Sequence, residues 1–409
     1  MTQRDGQNKR QQAPGINSAG EPDARMARRQ RQAAHKARVR KRRILVGSAL
    51  LVVLLAAGGA ALILSSAHHT PAPSASRQQT AAREPIKQES APATYTITLD
   101  VSGNAEAQVT PTKITNPVGA APARLPYAVL NDKRFVGWYT GPSNDTTATC
   151  IDNSMLDRIS TSANTTLYAR FEPAPKGVDR SVAGLPVLMY HEFYDASAGQ
   201  TAGTDIPQNH MEIGRFSEEL AYLKAQHYYF PHWNEVLAFV QGKIRLPAKS
   251  IVLTSDDGMP SFYSLALPAV KQHQVYMTGF IIGTNVAKYQ INLASYDRAS
   301  VDFESHTYNL HYRDPQGNGE ITIATDAQII ADVVREAQVL GPTKVICYPY
   351  GRPGRDYTQR DEQVLASQGY ELALTTGVGK VYPGLNPMAL PRVRINASDD
   401  LATFAQKIK

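Results

Sequence analysis

The residues best suited to chemistry lie in two short stretches. Asp256-Asp257-Gly258 ends the apolar run Ser250-Ile251-Val252-Leu253-Thr254-Ser255, so two adjacent carboxylates should sit at the C-terminal end of a strand, where α/β folds place their chemistry. The local alternative is a plain turn, because Asp and Gly favour turns for backbone reasons alone. Beyond a later strand-like run lie His306 and His311, five positions apart and able to converge on one point from a loop or a short helical turn. Two unconnected surface histidines are the alternative. With a carboxylate from the Asp256-Asp257 turn at the same sheet edge, His, His and Asp leave an open position for water, a ligand set that suits catalytic zinc or a similar divalent ion.

Strands and helices that alternate along the chain must position these groups. Val187-Leu188-Met189-Tyr190 reads as a strand, 216–226 as a helix, 251–254 as a strand and 261–272 as a helix. Strands at 275–282 and 301–304, a helix at 326–340, a strand at 344–348, a helix at 358–367 and strands near Leu372 and Val393 complete the pattern. Such βα alternation predicts a parallel sheet, open or closed into a barrel, with its working loops at the C-terminal edge. Upstream, Tyr95-Thr96-Ile97-Thr98-Leu99, Arg134-Phe135-Val136-Gly137-Trp138-Tyr139 and Thr165-Thr166-Leu167-Tyr168-Ala169-Arg170-Phe171 have β character without a strong helix between them. They predict a small all-β domain over 94–173, joined to the rest by a linker at 174–184.

Charge is concentrated at the start of the chain. Residues 1–43 hold 13 Lys and Arg against 3 acids, a net +10, which leaves about −3 for the remainder of a chain whose total is +7. A nucleic-acid partner for the folded part is therefore not expected. Residues 44–64 carry no charge, and at about 1.5 Å per residue they span roughly 30 Å, the hydrocarbon thickness of a bilayer. The basic flank from Lys36 to Arg43 orients such a helix, taken as 44–66, with 1–43 in the cytoplasm and everything beyond outside. Small residues after the run allow a cleaved signal peptide instead, but the run exceeds the usual apolar region of one. Residues 67–93, rich in Ala, Ser, Pro and Gln, read as an extended extracellular spacer, and His68-His69 within it has no motif context. Cys150 and Cys347 fall in separate domains, so no disulfide framework is expected.

Two resemblances sharpen this reading. Phe-Val-Gly-Trp-Tyr followed by Thr-Leu-Tyr-Ala-Arg-Phe resembles the Listeria-Bacteroides repeat, a β-grasp module of bacterial surface proteins, although Trp138 and Tyr139 are expected to pack rather than to stack on sugar. Thr-Ser-Asp-Asp-Gly, Ser-His-Thr-Tyr-Asn-Leu-His and Cys-Tyr-Pro-Tyr-Gly, in that order, resemble the motifs of the NodB-homology polysaccharide deacetylases, carbohydrate esterase family 4. Leu-Pro-Val-Leu-Met-Tyr-His at 185–191 and Leu-Pro-Arg-Val at 390–393 extend the likeness over 185–409. The resemblance implies a distorted (β/α) barrel in which Asp256 is the general base. It makes Asp257, His306 and His311 ligands of a divalent metal, with zinc the first choice, and the backbone N–H of Tyr350 a donor to the oxyanion. Family members with a Leu-x-His motif use its histidine as the acid, but no histidine follows His311 here. Tyr190-His191 matches the branch similar to poly-β-1,6-N-acetylglucosamine deacetylases and makes His191 the general acid. Cys347 stands where many members carry an arginine that pairs with the base, and Arg352 is the nearby substitute.

The expectation is a membrane-anchored extracellular enzyme that removes N-acetyl groups from N-acetylglucosamine in an envelope polymer, either peptidoglycan or an exported poly-N-acetylglucosamine. Its partners would be that polysaccharide and the cytoplasmic membrane. The alternative is an inactive deacetylase-fold protein that serves in surface adhesion or wall binding.

Overall fold

The computed structural model describes residues 93–204 and 206–409. The basic tail, the expected span at 44–66, almost all of the spacer and His68-His69 lie outside the described residues. Among the described residues no helix is long and apolar enough to cross a membrane.

The chain first builds a mixed sheet from β1 (Thr94–Asp100), β2 (Lys113–Pro117), β3 (Lys133–Tyr139), β4 (Cys150–Ile151) and β5 (Thr165–Pro173), in the order β2-β1-β5-β3-β4. Alternation along β1 buries Tyr95, Ile97 and Leu99 and leaves the intervening residues half-exposed, the signature of a sheet covered on one face. Trp138 is 2% exposed and its indole N–H donates to the Pro126 carbonyl at 2.8 Å, so it packs and offers no sugar platform.

The second sheet closes on itself. It comprises β6 (Val187–Tyr190), β9 (Val252–Ser255), β10 (Met277–Ile281), β11 (Val301–Ser305), β12 (Val345–Cys347), β13 (Leu372–Val378) and β14 (Leu390–Arg394). All pairs are parallel, and β14 returns to β6 to complete the barrel. Every residue of β6, β9, β10 and β12 is buried, which is why these strands read as unbroken apolar runs. A short parallel pair, β7 (Glu192–Tyr194) and β8 (His210–Glu212), stands outside the barrel.

Around the barrel run α1 (Ile213–Ala225), α2 (Trp233–Val240), α3 (Leu267–Gln272), α4 (Gly283–Lys288), α5 (Glu320–Ile323), α6 (Asp326–Leu340), α7 (Gln359–Ser367) and α8 (Leu401–Ile408). Before α3 the backbone widens into a π turn at Phe262–Ala266, where the N–H of Leu267 reaches the carbonyl of Phe262. Pro268 explains the widening, because it has no N–H to continue the ordinary ladder. Thr325 and Gln328 form a capping box that starts α6, and Gly341 at φ +83° ends it.

The two sheets share one hydrophobic core. Leu99, Phe135, Trp138 and Leu167 belong to the same buried cluster as Trp233, Phe239 and Ile244 of the barrel side. Phe135 exchanges backbone bonds with Lys243 (2.7 Å) and Arg245 (2.9 Å), and Glu172 accepts both Arg134 and Arg245. Residues 174–184, expected as a linker, are held along this seam: Asp179 accepts Arg134 at 2.6 Å and its N–H reaches the Pro383 carbonyl. Both cysteines are free thiols.

Burial pushes the carboxyls of Glu219, Glu304 and Glu336 up to about 8, which makes stability depend on pH. Glu219 of α1 is 1% exposed; burial pushes its carboxyl up to about 8, against the lowering effect of the Tyr190 hydroxyl that donates to it at 2.7 Å. The folded chain thus holds this proton more tightly than the unfolded chain, whose value is near 4.5, so the contribution is full below about pH 4.5 and is lost as pH rises through about 8. The free energy of urea unfolding should fall across that window. Glu219→Gln should flatten the fall by up to about 1.4 kcal/mol per pH unit, and an unchanged slope would remove Glu219 as one of its sources.

Candidate active site

The Asp-Asp-Gly segment is both a turn and a site. Asp256 continues β9 far enough for its N–H to bond the Tyr190 carbonyl at 3.0 Å, and the chain then turns through Asp257 (φ +73°) and Gly258 (φ +62°). A Cβ on Gly258 would lie 2.9 Å from Ile281, so only glycine fits there. The Asn285 side chain ties the turn down by donating to the Asp257 carbonyl at 2.8 Å.

Asp256 is 2% exposed and faces the guanidinium of Arg392, itself 1% exposed, through two parallel bonds of 2.8 and 2.7 Å. Burial alone would raise the carboxyl, but Arg392 outweighs it and holds Asp256 at about 2. Arg392 is held in turn by the Thr375 carbonyl at 2.9 Å and the Thr254 hydroxyl at 3.3 Å. The expected substitute, Arg352, does not reach the base. It pairs with Asp356 through its side chain (3.1 Å) and its backbone N–H (2.9 Å), because its loop runs along the rim of the barrel and its side chain stays half-exposed. Cys347 is fully buried with Sγ 3.6 Å from Asp256, and burial pushes its thiol up, so it offers a weak neutral donor. Arg392 belongs to the Leu-Pro-Arg-Val motif at 390–393, which by itself names no role for its arginine. The available signal was a guanidinium in the middle of an apolar strand, which demands a buried anion.

His306 ends β11. Its Nδ1 lies 2.7 Å from the Cys347 carbonyl, which can only accept, so Nδ1 carries the proton and Nε2 presents a lone pair. Asp257 Oδ1 lies 3.4 Å from that Nε2 and 3.3 Å from Nε2 of His311. These separations are long for hydrogen bonds, yet they match the edge of a tetrahedron of ligands about 2.0–2.1 Å from a central ion, roughly 3.3–3.4 Å. The donor set therefore fits a zinc-like ion.

His191 follows β6, with Nε2 3.8 Å from Asp256 Oδ2 and its carbonyl bonded by the Ser255 hydroxyl at 2.7 Å. Burial holds its imidazole below 6.5, only partly countered by Asp256 and Asp257, so it is neutral at pH 7. Tyr350 adopts φ +62°, and its ring lies 4.9 Å from that of His311 and 4.0 Å from the Arg313 guanidinium. Among the described residues no acceptor takes its backbone N–H. The structure thus gathers Asp256, Asp257, His306, His311, His191 and Tyr350 at one barrel edge. Tyr348 is buried and stacked on Tyr357. His273 is bound to Ser217 at 2.7 Å, and His232 caps α2.

Removing either arginine separates their roles. Arg392→Ala leaves a buried, unpaired carboxylate and should cost about 3–5 kcal/mol in denaturant unfolding. Arg352→Ala at the rim should cost about 1 kcal/mol or less. Equal losses would contradict the assignment of Arg392 as the partner of Asp256.

Comparison with known proteins agrees with this geometry. Residues 243–373, which include Asp256, Asp257, His306, His311, Cys347 and Tyr350, match the family described as polysaccharide deacetylase. The poly-beta-1,6-N-acetyl-D-glucosamine N-deacetylase of Staphylococcus aureus (strain MSSA476) is 25% identical over 215 residues, 49% of this chain and 72% of that protein. The enzyme of the same name from Staphylococcus epidermidis is 22% identical over 196 residues, 44% of this chain and 66% of that protein. Among solved structures, the Streptococcus pyogenes deacetylase PplD in complex with acetate aligns at 23% identity over 56% of this chain and 100% of that chain, with a TM-score of 0.46. The family match and the curated relatives identify a polysaccharide deacetylase domain in this chain.

Proposed function

We propose that this chain is a metal-dependent deacetylase that hydrolyses the acetamide of N-acetylglucosamine units in a cell-envelope polysaccharide. The observation that carries the reading is the Asp257–His306–His311 trio at ligand spacing beside a buried carboxylate that an arginine keeps ionised. The names of the curated relatives favour a β-1,6-linked poly-N-acetylglucosamine over peptidoglycan as substrate. The span expected at 44–66 would anchor the chain in the membrane, with residues 1–43 in the cytoplasm and the barrel outside.

Asp257, His306 and His311 would hold the ion, zinc by its taste for imidazole and carboxylate, and once bound it would polarise the acetamide carbonyl and the attacking water. Asp256, ionised at any physiological pH, takes the proton of that water as its oxygen bonds to the carbonyl carbon. The N–H of Tyr350 stabilises the charge that develops on the carbonyl oxygen. A carboxyl held at about 2 cannot keep its new proton, whereas the neutral imidazole 3.8 Å away can receive it. His191 then delivers the proton to the nitrogen as the C–N bond breaks, giving acetate and a free amine. The low value of Asp256 and the neutral resting state of His191 thus belong to one proton relay.

Acetate release from peptidoglycan and from β-1,4- and β-1,6-linked N-acetylglucosamine oligomers should be greatest on the β-1,6 oligomers. Asp256→Asn and His191→Ala should each lower that release by about 10²-fold or more while about one zinc ion per chain is retained. Zinc-free wild-type chain at neutral pH would defeat the enzyme reading and leave a wall-binding protein. Unchanged turnover in His191→Ala would take the acid's role away from that residue.

A further inference from the structure

Helix α6 turns an acidic face inward: Ile329, Asp332 and Glu336 are its buried residues. Such a face is unusual, because a helix that packs on a barrel ordinarily buries apolar side chains alone. Asp332, 8% exposed, uses both carboxylate oxygens on the segment between the two histidines. Oδ1 accepts the N–H of Tyr308 at 2.8 Å, and Oδ2 accepts the N–H of Asn309 at 2.9 Å.

The same segment is gripped from the other side, where the N–H groups of Gly283 and Thr284 at the start of α4 donate to the carbonyls of Thr307 (3.1 Å) and Tyr308 (2.9 Å). It needs holding. Thr307 is β-branched and adopts φ +67°, a conformation that costs roughly 1–3 kcal/mol and persists only when its surroundings impose it. His306 is fixed by β11 and by the Cys347 carbonyl, whereas His311 lies on irregular chain with its side chain 21% exposed. The distance between the two rings, 4.9 Å between centroids, is therefore set by the path of residues 307–310.

We infer that Asp332 is a positioning residue for metal binding: its carboxylate grips two successive amides and so sets the separation of His306 and His311. The inference rests on the metal-site reading above. Asn in its place would keep one acceptor but turn an NH2 group towards the second amide, leaving that amide unpaired and the loop free to drift.

The test uses the full chain, stripped with a chelator and titrated with zinc against a chromophoric competitor, alongside the visible spectrum of the cobalt(II)-loaded protein. Asp332→Asn should bind zinc about 10–100-fold more weakly and show a changed cobalt spectrum. Asp332→Glu, which keeps the charge but displaces it by one methylene, should weaken binding in the same direction if the Asn variant does not fold. Ile329→Ala, which removes core packing from the same helix, should lower the thermal midpoint of the metal-free protein and leave zinc affinity at the wild-type value. If Asp332→Asn and Asp332→Glu lose stability but bind zinc as tightly as wild type, Asp332 is structural and the inference falls. If wild type itself binds no zinc, the metal-site reading falls instead.

Discussion

The buried pair between Asp256 and Arg392 is the interaction on which the rest of the site depends. Taking two charges out of water is expensive, and their attraction offsets the cost only where geometry is good and the remaining donors are satisfied. Both conditions hold: the bonds are parallel and short, and Arg392 also donates to the Thr375 carbonyl and the Thr254 hydroxyl. The partners sit on β9 and β14, which are not neighbours, because β6 pairs with each of them. The bond therefore spans the interior of the barrel. Closure of the sheet is what brings carboxylate and guanidinium together, so the position of the base reports on the whole barrel and not on its own turn.

Much of this was legible in the sequence, for physical reasons that differ from residue to residue. The buried parallel strands announce themselves as apolar runs, and the capping box at Thr325 marks the start of α6 at the residue expected. The His306–His311 spacing was informative because both residues lie on one connection after one strand. Arg392 and Asp256, by contrast, are 136 positions apart, and nothing local to either names the other. Arg352 looked nearer along the chain, but nearness along a loop is a poor guide to which side of a barrel a side chain enters. Helix α2 leaves no such trace in the sequence, since Trp233–Val240 is buried nearly all round and lacks the polar stripe that betrays a surface helix.

The all-β sheet also proved less separable than composition implied. The change of pattern near residue 174 reads as a boundary, yet the side chains on either side pack into one cluster, with β3 bonded to the backbone at Lys243 and Arg245. Neither the partners of Phe135 nor those of Glu172 can be read from the strand that carries them. Local alternation says that one face of β3 is covered; it is silent about what covers it.

The arginine of the buried pair lies on β14, the last strand of the barrel to be synthesised. Until that strand is made and seated, the carboxylate of Asp256 has no counter-charge and no reason to stay ionised in an apolar interior. The charge state of Asp256 is thus tied to closure of the barrel, because the seam between β13 and β6 is filled by the strand that carries its counter-charge.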